Sequence, residues 1–302
     1  VPTINKIHVD KVLSELSVQY KNAEYIADEI FPKLPVKKLS DKYFVFVKDF
    51  RIPETIRSIK GLAREASFDL STSTYNLEKH SLKDYVADDE KDNYDLKDLM
   101  ADTTEYLTDK IKLRKEKITA DLINNTGTWS LGVSLAAAGL WSANTTASNP
   151  IPVIDTGAST IISYSGMAPN RMILPRAGYV ACKNHISILD RVKYTSNDVG
   201  VKTLEGLFDM EKILVPTVQY DSAAEGATAV VSSLWSDFSL LFYHAPRVGP
   251  KSMVSGVMIE KKNSVVKRWR DEEREAEAVE VTSHFQPKIV ASLTGYLINS
   301  IV

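Results

Sequence analysis

Cys182 is the only cysteine of the chain, and His185 follows it three residues later in YVACKNHISILD, Tyr179 to Asp190. On one helix, positions three apart are neighbours on one face. The pair could then be a thiolate with its base, or half of a metal site. Catalysis would need a third group to orient the histidine and a pocket that depresses the thiol's pKa. A zinc site would need more ligands, yet His8, His80, His185, His244 and His284 are dispersed, with no H-x-x-x-H and no second cysteine. No metal is expected. The plainer reading is a small buried apolar residue and a histidine that caps or borders a helix.

Other candidate chemistry fails on context. Gly127 to Gly132 has the G-x-x-x-x-G skeleton of a phosphate loop, but Val133 stands in the lysine position and the segment leaves a helix instead of a strand. No G-x-S-x-G, G-x-G-x-x-G or kinase pattern occurs. Asp84, Asp88, Asp89, Glu90, Asp92, Asp95 and Asp98 crowd together without a D-x-D-x-D-G calcium loop. They precede a helix whose second half carries Lys110, Lys112, Arg114, Lys115 and Lys117, a polarity that suits the helix dipole. No cofactor is expected.

The elements that would position these groups follow from composition and periodicity. With 302 residues, 44% of them apolar, the chain can bury one large or two ordinary cores. A formal charge of −2 argues against a dedicated nucleic-acid binder. One cysteine permits no internal disulfide, so packing or assembly must supply stability. The longest apolar run, LGVSLAAAGLW, falls short of the ~20 residues of a spanning helix, and the start VPTINKIHVDK lacks a signal pattern. Because the chain starts at Val1, loss of at least the initiator methionine is expected.

Pro32 and Pro35 impose an extended arm on the first forty residues. KYFVFVKDF reads as a strand, and TYNLEKHSL as another, so the polar stretch between them makes a long projecting hairpin. From Asp95 to about Asn124, Leu96, Met100, Thr103, Leu107, Ile111, Arg114, Ile118 and Leu122 recur at helical steps, which predicts a helix ~45 Å long. The Gly/Ser/Thr/Asn-rich passage from Thr126 to Asn149-Pro150 reads as a boundary. Beyond it, short helices alternate with RMILP and KILVP as a mixed α/β unit from about 151 to 245, with RAGYVACKNHISILDRVK as one helix. The remainder reads as strands, and KRWRDEEREAEAVEV is mostly extended because a helix would stack like charges four apart.

Several of these segments, in this order, resemble the tailed-bacteriophage major capsid protein family, whose fold is named after bacteriophage Hong Kong 97. The opening LSVQYKNAEYIADEIFPKLPVKKLSDKYFVF is similar to the family's N-terminal arm through Tyr20, Asn22, Tyr25 to Asp28, Phe31-Pro32, Pro35-Val36 and Tyr43. Trp141 to Asn149-Pro150 fits as well. APNRMILPRAGYVACKNHISILDRVK resembles a strand followed by a helix with a histidine near Asp-Arg. Trp235 before SLLFYHAP and the closing PKIVASLTGYLINSIV match the expected strands, so the resemblance spans nearly the whole chain.

The resemblance implies an α+β fold of the Hong Kong 97 type. Its parts would be an N-terminal arm (1–42), an extended E-loop hairpin (43–83), a peripheral domain (84–150 and 246–302) with a spine helix at about 95–124, and an axial domain (151–245). Cys182 and His185 would belong to an axial-domain helix, where the family has no active site. The protein would be structural and not an enzyme. It would self-assemble into pentamers and hexamers of an icosahedral phage head that encloses double-stranded DNA without sequence-specific binding. The resemblance places it in the virion capsid after assembly in the host bacterial cytoplasm, with no membrane association. Its partners would be copies of itself, a portal, a separate scaffolding protein unless that piece was removed before Val1, and, as an optional addition, decoration proteins. Arg51, Arg57, Lys60 and Arg64 of the E-loop are the subunit-interface candidates. The family's type member crosslinks an E-loop lysine to a neighbour's asparagine. Lys60 lies in the right loop, but the asparagine and assisting carboxylate have no match, so no crosslink is expected. The alternatives are an encapsulin-like nanocompartment shell of the same fold, a cysteine-dependent enzyme using Cys182 and His185, and a soluble binding module.

Overall fold

The computed structural model describes residues 25–45, 52–57, 59, 61–63, 65, 71–92, 99–193, 199–224, 226–245, 253–261 and 265–302. It opens with a short helix α1 (Ala27–Ile30), which stops at Phe31-Pro32, and continues into strand β1 (Lys33–Val36). Strands β2 (Ser40–Val45), β3 (Ser71–Asn76) and β4 (Glu78–Ala87) follow, then α2 (Asp88–Asp92) and the long helix α3 (Leu99–Asn124). Next come β5 (Gly132–Ser134), α4 (Pro150–Ser165), β6 (Arg171–Ile173), α5 (Arg176–Lys183), α6 (Ile186–Val192) and α7 (Val201–Leu207). The chain closes with β7 (Lys212–Leu214), β8 (Gln219–Asp221), β9 (Val231–Ser233), β10 (Phe238–Phe242), β11 (Gly256–Lys261), β12 (Val265–Asp271), β13 (Ala276–Ile289) and β14 (Gly295–Asn299).

Strand β13 organises the first sheet. One side pairs with β4 over ten antiparallel positions, and the other carries β12 along its first half and β11 at its end. Strand β1 adds to the outer edge of β11 in parallel, where Pro35 is tolerated because an edge strand need not donate outward. KRWRDEEREAEAVEV is thus two strands around a turn, and Lys267 faces Glu280 while Arg270 faces Glu277 across the pair.

Helix α3 lies on this sheet with Met100, Leu107, Ile111, Ala120 and Ile123 in a core shared with Val86, Val279, Val281 and Phe285. Its 26 residues give about 39 Å, and the expected first residues 95–98 lie outside the described part. The first half of the buried stripe runs as the periodicity predicts. The second half is rotated: Glu116, Thr119 and Ala120 are buried, and Arg114 is exposed. Glu116 is drawn inward because two backbone N–H groups and an indole point at it, as described below.

The second sheet has the order β5-β14-β10-β6-β7. Strand β10 is buried along its whole length, as expected for a central strand covered on both faces. Alternate side chains of this sheet face opposite ways. Leu240, Ile173 and Leu297 join the core under α3, whereas Leu241, Met172 and Ile298 join a second core with Trp141, Ile154, Ile161 and Leu204. One sheet therefore forms a wall between two cores. The 151–245 stretch is not closed on itself, since β5 and β14 complete its sheet from outside.

Helix α4 is longer than the short helix expected. Asn149 Oδ1 accepts from Ile151 N at 3.1 Å ahead of Pro150, and Gly166 ends the helix in the left-handed region at φ 72°. Gly157 lets it approach the sheet, for a Cβ there would stand 2.8 Å from Leu241 Cδ1.

Two further expectations are corrected. The passage 126–150 is no loose boundary: it holds β5 and three 3-10 turns, with Trp141 fully buried in the second core. And 176–193 is two helices, α5 and α6, broken at Asn184-His185 because His185 is extended (φ −72°, ψ 130°) and caps α6. The strand expected at 43–51 is seen as β2 up to Val45, and 46–51 lies outside the described residues.

Candidate assembly interface

The break between α5 and α6 decides the Cys182–His185 question. The two residues do not share a helix. Cys182 is fully buried in the second core, and burial pushes its thiol far above the ordinary range, so it stays protonated. His185 is also fully buried. Its Nδ1 accepts from Ser187 N at 3.2 Å, and its Nε2 hydrogen-bonds Ser148 Oγ at 3.1 Å. Burial pushes the imidazole below the usual histidine range, which keeps it neutral. A protonated thiol beside a neutral ring with both nitrogens engaged has no nucleophile and no free base. His185 fastens the 141–149 turns to α6 through Ser148, beside Asn144 Oδ1, which accepts from Ile186 N at 2.8 Å.

Among the described residues no group of three or more His, Cys, Asp or Glu is placed to hold a metal ion. An open groove runs along one face of α4, lined by Asp155, Thr156, Ser159, Thr160, Ser163 and Tyr164. It is the solvent face of a single helix. No described helix is long and apolar enough to cross a membrane.

The surface is more informative. Strands β2 and β3 pair from Ser40↔Asn76 to Val45↔Ser71 and project a loop between them. The base is anchored: Tyr75 and Leu77 pack with Val257, Ile259 and Val290, and Tyr43 Oη donates to Ile289 O at 3.4 Å. The loop carries four aliphatic side chains almost wholly in solvent, Ile52 (96% exposed), Ile56 (85%), Ile59 (94%) and Leu62 (95%). Single exposed aliphatics are ordinary, but four on one projecting loop mark a contact surface. Burying each would contribute about 1.5–3 kcal/mol.

Of the candidate cations in this loop, Arg57 is described, exposed, and donates from Nε to Gly61 O at 2.5 Å. Arg51, Lys60 and Arg64 lie outside the described residues. Sequence reasoning singled out the cations and passed over the aliphatics. Their spacing of four, three and three inside a polar stretch was the available signal.

No family model matches the chain. It is 28% identical to the major capsid protein of Burkholderia phage BcepMu over 301 residues, covering 97% of this chain and 96% of the relative. It is 27% identical to the major capsid protein of Pseudomonas phage JBD67 over 241 residues, 78% of this chain and 77% of the relative. Among solved structures, a phage-related protein from Bordetella bronchiseptica RB50 superposes with a TM-score of 0.75 at 23% identity, covering 97% of each chain. The capsid structure of cyanophage P-SCSP1u superposes with a TM-score of 0.65 at 9% identity, covering 93% of this chain and 89% of the other.

Proposed function

We propose that this chain, with its Hong Kong 97-type fold and its 27–28% identity to two phage major capsid proteins, is a tailed-bacteriophage major capsid protein that assembles into the pentamers and hexamers of an icosahedral head enclosing double-stranded DNA. Its role is structural, with no catalytic step, and its place is the virion capsid after assembly in the host bacterial cytoplasm. The observation that carries this reading is the loop with four exposed aliphatic side chains on an anchored hairpin. Such a surface lowers its free energy only when another molecule covers it.

In this reading residues 1–42 are the N-terminal arm and 43–83 the E-loop, laid over a neighbouring subunit with Arg51, Arg57, Lys60 and Arg64 at the contact. Residues 84–150 and 246–302 form the peripheral domain around α3, and 151–245 the axial domain, which borrows strand β14 from the C-terminal segment. A separate scaffolding protein, a portal and optional decoration proteins complete the head. The near-zero net charge suits a wall against packaged DNA, because strong phosphate binding would hold back loading and ejection.

Expression of the chain alone, followed by negative-stain electron microscopy beside light scattering, tests the proposal. Closed shells, tubes, or rings of five and six are expected. A monomer that stays monodisperse at high concentration, and also with a candidate scaffolding protein added, overturns it.

A further inference from the structure

Residues 25–36 make their described side-chain and strand contacts almost entirely with distant parts of the chain. At their head, buried Glu116 of α3 receives three donors: Ile26 N at 3.1 Å and Trp235 Nε1 at 2.8 Å on Oε1, and Ala27 N at 2.8 Å on Oε2. Tyr25 Oη donates to Asp109 Oδ1 at 2.9 Å. Asp28 is bridged to Lys115, which also reaches Glu260, and to Lys33 at 2.8 Å. On the other side, Lys212 of β7 meets Glu29 at 2.6 Å, and Arg171 of β6 donates to Glu29 O at 2.6 Å. At the tail, Phe31 fills the space over Gly256, where a Cβ would stand 2.4 Å from its ring, and β1 lies on the edge of β11. The segment thus touches α3, the first sheet and the second sheet.

We propose that residues 25–36 form a strap that opens and closes as one unit, with Glu116 as its latch, taking Ile26, Ala27, Ile30 and Phe31 out of the first core while the rest of both cores stays folded. Three features support a separate opening step. The strap adds only an edge strand, so its departure leaves the rest of the ladder intact. Its polar bonds to the body run through side chains and edge pairing, and its four buried apolar residues are consecutive enough to leave the first core together, as a contiguous cooperative unit does. Its buried carboxylate receives hydrogen bonds from two strap N–H groups and an indole, while its neighbour Lys115 is committed to Asp28 and Glu260. The latch belongs to the single chain, so it stands whether or not the chain builds shells.

Native-state hydrogen exchange with mass spectrometry on the full chain tests it, at a concentration where wild type and variant have the same size by light scattering. Glu116→Gln keeps one oxygen but turns an N–H₂ toward Ala27 N–H, which breaks half of the latch. Peptides within 25–36 are expected to exchange about tenfold faster or more, with the 107–123 and 238–242 peptides unchanged. Equal loosening of α3 and the strap, or wild-type strap amides as slow as the slowest core amides, overturns the proposal. Should Glu116→Gln not fold, Lys212→Ala removes a half-exposed contact at the strap's side, and a smaller acceleration confined to 25–36 is expected. Acceleration spread across the sheets, or none in 25–36, overturns it equally.

Discussion

The Cys182–His185 turn and the 52–65 loop are opposites. In the first, residue types suited to chemistry are folded inward until every reactive atom is protonated, capped or walled off by Ser148 and the second core. In the second, residue types suited to a core are turned outward on a hairpin whose base is anchored and whose tip has nothing to pack against within the described chain. Reactive groups that are satisfied internally are architecture, and apolar groups left unsatisfied are function. For this molecule burial, not residue type, separates the two.

The loop should break first. Replacing Ile52, Ile56, Ile59 and Leu62 together by serine removes roughly 6–12 kcal/mol of potential contact energy per loop. Assembly should fall by more than about a hundredfold in light scattering, with the monomer's melting temperature unchanged. Shells that persist in this variant would move the interface elsewhere. At the turn the signs reverse. Cys182→Ser puts a hydroxyl into an apolar site, and His185→Ala removes the tie to Ser148 and leaves α6 uncapped. Each should cost about 1–3 kcal/mol in urea denaturation, while Cys182→Ala should assemble normally.

A subtler distinction lies at Glu116, where burial raises the carboxyl above its ordinary 4.5 despite its three donors. The folded chain therefore binds this proton more tightly than the unfolded chain does. The resulting stabilisation is fully present below about pH 4.5 and is lost as pH rises through the raised value. The stability gap between wild type and Glu116→Gln should be widest in acid and narrow as pH rises from 4.5, measured by denaturation at several pH values. Asp28 runs the other way: burial opposes ionisation, but Lys115 and Lys33 outweigh it and lower the pKa, so its contribution is lost as pH falls. Both proteins carry Asp28, so that slope cancels in the comparison. The smallest effect belongs to Arg57→Ala, whose exposed side chain should leave melting unchanged and weaken assembly less than the aliphatic replacements.

Much of the fold was legible because its signals are local. The step of Met100, Thr103, Leu107 and Ile111 gives α3, and the Val- and Ile-rich runs give β11, β13 and β14. What stayed hidden depends on partners far along the chain. The helix break at His185 is fixed by Asn144 and Ser148, some forty residues earlier, and no periodicity within 176–193 records it. Glu116 reads as a surface residue until Ile26, Ala27 and Trp235 reach it. The passage around Trp141 has the composition of a linker, and one buried indole makes it part of a core. In the 52–65 loop the cations were visible as a charge pattern, whereas the four aliphatics, though spaced four, three and three, sit among polar residues and drew no notice.

The sheet β5-β14-β10-β6-β7 carries a mechanical consequence. Two lobes joined by a linker can hinge, but lobes packed on opposite faces of the same strands move apart only by stripping one core off the shared sheet. The subunit body is therefore a stiff tile. In the proposed shell, any difference in curvature between one neighbour and the next has to be taken up by what hangs from the tile, the hairpin and the strap, and not by bending within it.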